Sequence, residues 1–251
     1  MDFGLHFNGW ELAFLAAAAA IGGFMRGFAG FATTLIMVPL FALLIEPAEA
    51  VFIGITIDVM ATVALVPRAV RDAEWRPIIP LLTASILVIP LGAYILVTAP
   101  VPAMRMAIAG MVIISALVLL SGWRYRGPKT PMLSATVGAV SGTLGTATGV
   151  GGPFLAVYFL ASDSASRAVR ASLNVMGFIK MSLSAVAIAY AGGFGWPTYK
   201  LIALLLPVIL VFTWVGARAY IGVSERNFRL ALNWILMIVG IAIMLRAILS
   251  P

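Results

Sequence analysis

The chain has 251 residues, 63% of them hydrophobic and only 10% charged, with a mean hydropathy of +1.10; that composition excludes a soluble globular protein. Several windows of about 20 apolar residues are long enough to cross a hydrocarbon core of about 30 Å, so the chain reads as an all-α polytopic membrane protein. The formal charge of +7 would suggest nucleic acid in a soluble protein, but here the basic residues fall mostly in short loops and read as orientation signals, while the lack of cysteine excludes disulfides and thiolate metal sites.

In chain order, the N-terminal stretch before the first apolar run carries no Lys or Arg, so that run is expected to be retained rather than cleaved as a signal. Residues 12–24 are apolar but short, and 28–44 follow after Arg26-Gly27; the two pieces make either two crossings or a re-entrant hairpin. Glu46-Pro47 closes the second piece, because the residue before a proline avoids helix. A full span is expected over 48–66, interrupted only by Asp58, then spans over 77–98 and 104–121, with polar connections at 67–77 and 122–131. Residues 132–144 and 152–161 flank a second glycine-rich stretch, and spans over 168–190, 198–217 and 228–249 complete about 8–10 membrane segments.

The two glycine-rich stretches, 22–34 and 141–153, organise the rest. Gly23 and Gly142 are 119 positions apart (142−23), as are Gly30 and Gly149 (149−30). Other matches follow in the same order: Thr56-Ile57-Asp58 with Ser172-Leu173-Asn174 at 116, Trp75 with Trp196 at 121, and Leu91-Gly92-Ala93 with Val215-Gly216-Ala217 at 124. The chain is therefore expected to be one transport domain of two repeats, about 10–123 and 131–251. Small and hydroxylated residues recurring inside two apolar runs suggest broken membrane helices with exposed backbone at a midplane site; the alternative is close helix packing of the small-xxx-small type.

Charge orients the repeats. Arg68, Arg71 and Arg76 lie in one loop, Arg124, Arg126 and Lys129 in the next. Arg167 and Arg170, then Arg218, Arg226 and Arg229, follow in two more. These are placed inside, against Arg105, Lys200 and Arg246 outside. Loop 67–77 is basic while its repeat partner 191–199 is uncharged, and the reverse holds for 99–103 and 218–227. Equivalent loops thus face opposite sides, which makes the repeats inverted in topology and puts both termini outside.

Gly22-Gly23, Gly27, Gly30 and Pro39 in the first half, with Gly142, Gly145, Gly149, Gly151 and Gly152 in the second, resemble the TauE/SafE family of membrane transporters, also called the sulfite exporter or toluenesulfonate uptake permease family. The resemblance implies a secondary transporter of small anions such as sulfite, sulfonates or related carboxylates, in the cell inner membrane. It implies neither cofactor nor enzymatic activity. The small anion and the lipid bilayer are the expected partners and nucleic acid is not; protons or sodium as coupling ion, and a homodimer, stay open.

Several residues could carry such chemistry. Half-helix N-termini present unpaired N–H groups and about half an elementary charge to an anion. Gly30, Gly149 and Gly152 would let substrate approach the backbone. Thr33, Thr34, Thr143, Thr146 and Thr148 add hydroxyls, each of which could instead bond back to its own helix. Arg26, inside the first break, is a candidate oxyanion ligand. Asp58 is a candidate coupling group or a partner for Arg26, with Asn174 as its uncharged counterpart. Lys180, mid-span, could add positive charge for substrate or snorkel. The rival reading from another class is an intramembrane assembly or insertion factor that uses the small-residue grooves for protein contacts.

Overall fold

The computed structural model describes residues 7–29, 33–63, 66–73, 75–121, 127, 130–152, 155, 158 and 166–219. Among them run nine helices in chain order: α1 Gly9–Ala29, α2 Thr33–Phe41, α3 Pro47–Thr62, α4 Val66–Asp72, α5 Trp75–Thr98, α6 Val101–Ser121, α7 Pro131–Thr148, α8 Ser166–Gly192 and α9 Trp196–Ala219. The expected span over 228–249 and most of 152–161 lie outside the described residues.

Among the described residues, four stretches are long and apolar enough to cross a membrane: Ile78–Thr98, Val101–Val118, Ala171–Gly192 and Trp196–Ala219. A fifth is made if α3 and α4, bent by 74° to one another, count as one span. Side chains such as Leu87, 77% exposed, and Val186, 67% exposed, cover these helices on the outside. In water they would be a liability; against lipid they are at home.

Proline sets where the helices begin. Pro47, Pro77, Pro102, Pro131 and Pro197 all fall in first turns, where the missing N–H has no intrahelical partner to lose. Helices expected to start at 77 and 104 therefore start a little earlier, at Trp75 and Val101. Thr130 caps α7 by accepting a bond from the Leu133 N–H at 3.2 Å. The same helix runs past 144 to Thr148, where Gly149 turns left-handed (φ 73°) and donates its N–H to the Gly145 carbonyl.

The expected span over 48–66 is shorter in fact. α3 stops at Thr62, and the segment expected as a polar loop from 67 is largely α4. Two local causes act together. Pro67 has no N–H to give the Val63 carbonyl and its ring crowds that carbonyl, so α3 cannot run on through it, and the Thr62 hydroxyl donates to the Asp58 carbonyl at 2.5 Å, a back-bond that bends helices.

Two glycine-lined seams hold the helices. Gly23 and Gly27 of α1 face the α9 backbone at Ile209 and Thr213, and Gly216 of α9 faces Phe24 in return. Gly138 and Gly142 of α7 face α5 at Leu81 and Ser85, while Gly92 of α5 faces Thr143 and Thr146. Any Cβ at these glycines would collide with the opposite helix, so only glycine permits the approach. Ser85 ties the second seam by donating to the Gly138 carbonyl at 2.8 Å. The seams are built alike: Gly23 on Ile209 matches Gly142 on Ser85, with offsets of 119 (142−23) and 124 (209−85). α2 is buried on nearly every side, as its uniform apolarity requires, within a core that includes Leu15, Phe41, Ile53, Val112, Ile188 and Ile209.

Candidate functional site

Both glycine stretches interrupt helices. The first separates the end of α1 at Ala29 from the start of α2 at Thr33; the second follows the Gly149 cap of α7. Between them lies a cavity of about 60 Å³. At roughly 10–15 Å³ per water it has room for about five waters or one small anion. Its polar wall is formed by Arg26 from α1, Thr33 and Thr34 from α2, Asp58 and Thr62 from α3, and Asn174 and Lys180 from α8. Gly152 closes the second break against it, and Leu35, Leu155, Leu173, Phe178 and Met181 give it an apolar side. Residues from both halves of the sequence thus meet around one space.

Arg26 sits in the last turn of α1 and is only 5% exposed. It is not a surface orientation charge. Its Nη1 forms an ion pair with Asp58 Oδ1 and also donates to Thr33 Oγ1 at 3.3 Å, while Nη2 donates to the Thr62 hydroxyl. Its Nε–H has no partner among the described residues. A charge at bilayer depth costs about 2.5–3.5 kcal/mol on insertion scales, and the carboxylate and two hydroxyls offset it. Thr62 lies one turn beyond Asp58 on the same face, so the α3 spacing aims both at Arg26.

Lys180 is 2% exposed and meets no carboxylate among the described residues. Its Nζ donates to the Ser141 hydroxyl at 2.9 Å and to the Ser141 carbonyl at 3.1 Å, and Ser141 in turn donates to the Gly151 carbonyl at 3.1 Å. A methyl group at Gly145 would lie 3.0 Å from Nζ, and one at Gly151 would lie 2.7 Å from it. The ammonium therefore fills space that these glycines leave open. An ammonium has three N–H donors, and Ser141 takes two of them.

The remaining predicted residues separate into two groups. Gly30 lies outside the described residues. Thr143, Thr146, Thr148 and Gly149 lie outside the cavity lining and build the second break instead. Thr146 shares a 2.7 Å hydrogen bond with the Ser184 hydroxyl; Thr148 donates back to the Leu144 carbonyl at 2.7 Å and accepts from the Val150 N–H at 3.2 Å. The Thr143 backbone packs on Gly92, and Gly149 caps α7 against Val38. Sequence reasoning misses two contributors. Thr62 is findable from its four-residue spacing to Asp58; Ser141, on a helix distant in sequence from Lys180, carries no comparable signal.

The family described as Sulfite exporter TauE/SafE matches residues 15–243. No curated protein and no solved structure shows significant similarity to the chain.

Proposed function

Because the chain belongs to the TauE/SafE sulfite exporter family of membrane transporters, we propose that the cavity between the two breaks is its substrate site, and that it carries a small sulfur oxyanion, sulfonate or carboxylate across the cell inner membrane by alternating access. The observation that carries this reading is the pair of buried cations, Arg26 and Lys180, lining one small cavity beside two helix breaks. The N-terminal turn of α2 adds N–H groups and its positive helix end, with the Thr33 and Thr34 side chains on the lining. Asn174 and Gly152 complete the contacts to substrate.

Asp58 is the coupling group in this scheme. Its carboxylate already occupies Arg26 as a resident anion. Protonation releases the guanidinium to an incoming substrate, so proton and anion enter together. The Asp58→Asn variant then transports without dependence on pH. A pH profile unchanged from the native one would remove this role and leave sodium or the membrane potential as the drive.

The alike seams support a two-fold arrangement of repeats 10–123 and 131–251, in which α1 of the first packs on α9 of the second and α7 of the second on α5 of the first. The loop charges make that arrangement inverted, with both termini outside. Single cysteines introduced into this cysteine-free chain would test it: residue 130 is expected to label from inside and residue 193 from outside.

The decisive test of function is purified protein in liposomes. Flux of sulfite, thiosulfate, taurine, sulfoacetate or a short dicarboxylate, together with a rise in thermal midpoint on adding the same anion, is the expected result. A folded protein that binds and moves none of them would instead favour the assembly-factor reading.

A further inference from the structure

Resting on the reading that this cavity binds an anion, we propose that the site is matched to a single negative charge and that Asp58 sets the match. Among the described residues lining the cavity only Arg26, Asp58 and Lys180 are charged, and all three are at least nine-tenths buried. Two cations and one carboxylate leave one positive charge in excess. That excess resides on Lys180, because Arg26 is paired with Asp58 whereas the Lys180 partners, the Ser141 hydroxyl and carbonyl, are neutral. An uncompensated charge taken out of water is costly. One negative charge from a ligand neutralises the site. While Asp58 is ionised, a second has no cation left and faces its carboxylate, and it enters only together with the proton that the coupling scheme gives Asp58.

The origin of the excess lies in how each half supplies its cation. Arg26 has Gly145 as its counterpart at the repeat spacing of 119 (145−26), so the second half has no arginine at that position. The ammonium of Lys180, reaching in from α8, lies 3.0 Å from the point where a Gly145 methyl would be. It takes up the room beside that position. The first half adds an acid to its cation. The second carries Asn174 at the position equivalent to Asp58, and that residue also lines the cavity. Each half contributes one cation, and only one half contributes a carboxylate.

Methanesulfonate and sulfate test this directly. They are tetrahedral sulfur oxyanions of similar size that carry one and two charges throughout the neutral range. Titration calorimetry of purified protein at pH 7.5 and fixed ionic strength is expected to show native protein binding methanesulfonate at least tenfold tighter than sulfate. In Asp58→Asn, which keeps the shape and removes the charge, the ratio moves toward sulfate by at least tenfold. In Asn174→Asp, which adds a second acid, methanesulfonate affinity falls at least tenfold. Size-exclusion profiles of the two variants confirm that each is folded, and either alone suffices to decide. A native preference for sulfate, or a ratio that shifts less than threefold in Asp58→Asn, overturns the charge match while leaving an anion site in place. Native protein that binds neither probe nor any anion of the wider panel overturns the site itself, and the match with it.

Discussion

The first and second breaks differ in what holds their cation. At the first, Arg26 is carried by the broken helix itself and is gripped by Asp58, Thr62 and Thr33, so a charge is met by a charge. At the second, the broken helix carries Gly145, and Lys180 arrives from a neighbouring helix to rest on Ser141 beside the glycines, so among the described residues a charge is met only by dipoles. The lesson is that two halves of similar plan can divide labour. One is locked by an ion pair and the other keeps its cation available for a ligand.

The largest effect should come from breaking the lock. Asp58→Ala strands Arg26 in the protein interior without its counter-ion, a loss of about 3–5 kcal/mol for a buried pair that loses one partner. Thermal unfolding in detergent should register a fall in midpoint greater than that of any other single substitution at the two breaks. Asp58→Asn, which can still accept from the guanidinium, should lose less.

At the other break the loss should appear in binding before it appears in stability. Lys180→Met keeps the length of the side chain and removes the charge. Anion affinity measured by calorimetry is expected to fall at least tenfold, or about 1.4 kcal/mol, with a smaller drop in midpoint than Asp58→Ala. If the two variants showed the same balance of stability and binding losses, the proposed division of labour would be wrong.

Smaller changes sharpen the same contrast. Gly145→Ala places a methyl 3.0 Å from Nζ, so the ammonium must shift by a few tenths of an ångström. A few-fold weakening of anion binding, with transport retained, is expected in liposome flux. Ser141→Ala removes a hydroxyl that bridges Lys180 to the Gly151 carbonyl, at about 1 kcal/mol for a typical hydrogen bond. Gly149→Ala forces a side chain into a left-handed conformation, with a cost of roughly 1 kcal/mol that thermal unfolding would report.

Much of this is legible in the sequence. The breaks, the spans of α5, α6, α8 and α9 and the family can be read from where glycine, proline and apolar runs fall, because those residues act through the local backbone. The meeting of Arg26, Asp58, Asn174 and Lys180 can be expected as a set, since a charged or amide group inside an apolar run has few places to go. The bend after Thr62 escapes that reading, although Pro67 and a threonine four residues past Asp58 contain its causes. The threonines of α7 cannot be sorted from sequence, because which face of a helix meets a cavity and which meets Ser184 or Gly92 depends on neighbours far along the chain. The Arg26–Asp58 pair is one of two roles the sequence allows Asp58, and only the packing of both α1 and α3 against α2 and α9 makes it real. The dependence of Lys180 on the emptiness of Gly145 is hidden for the same reason: an absent side chain leaves no mark in a sequence until its neighbour is known.

The glycine seams also bear on how the molecule is made. α5 and α7 are separated by one helix, so their grooves can close soon after both leave the ribosome. α1 finds its partner surface only when α9 emerges, after seven intervening helices of the described chain. Until then its close-approach face, with Arg26 at one end, must be shielded by lipid, by the insertion machinery or by a provisional neighbour. Biogenesis is therefore most exposed to failure at this long-range seam, and a truncation that stops short of α9 should leave α1 inserted but unassembled and open to quality-control proteolysis.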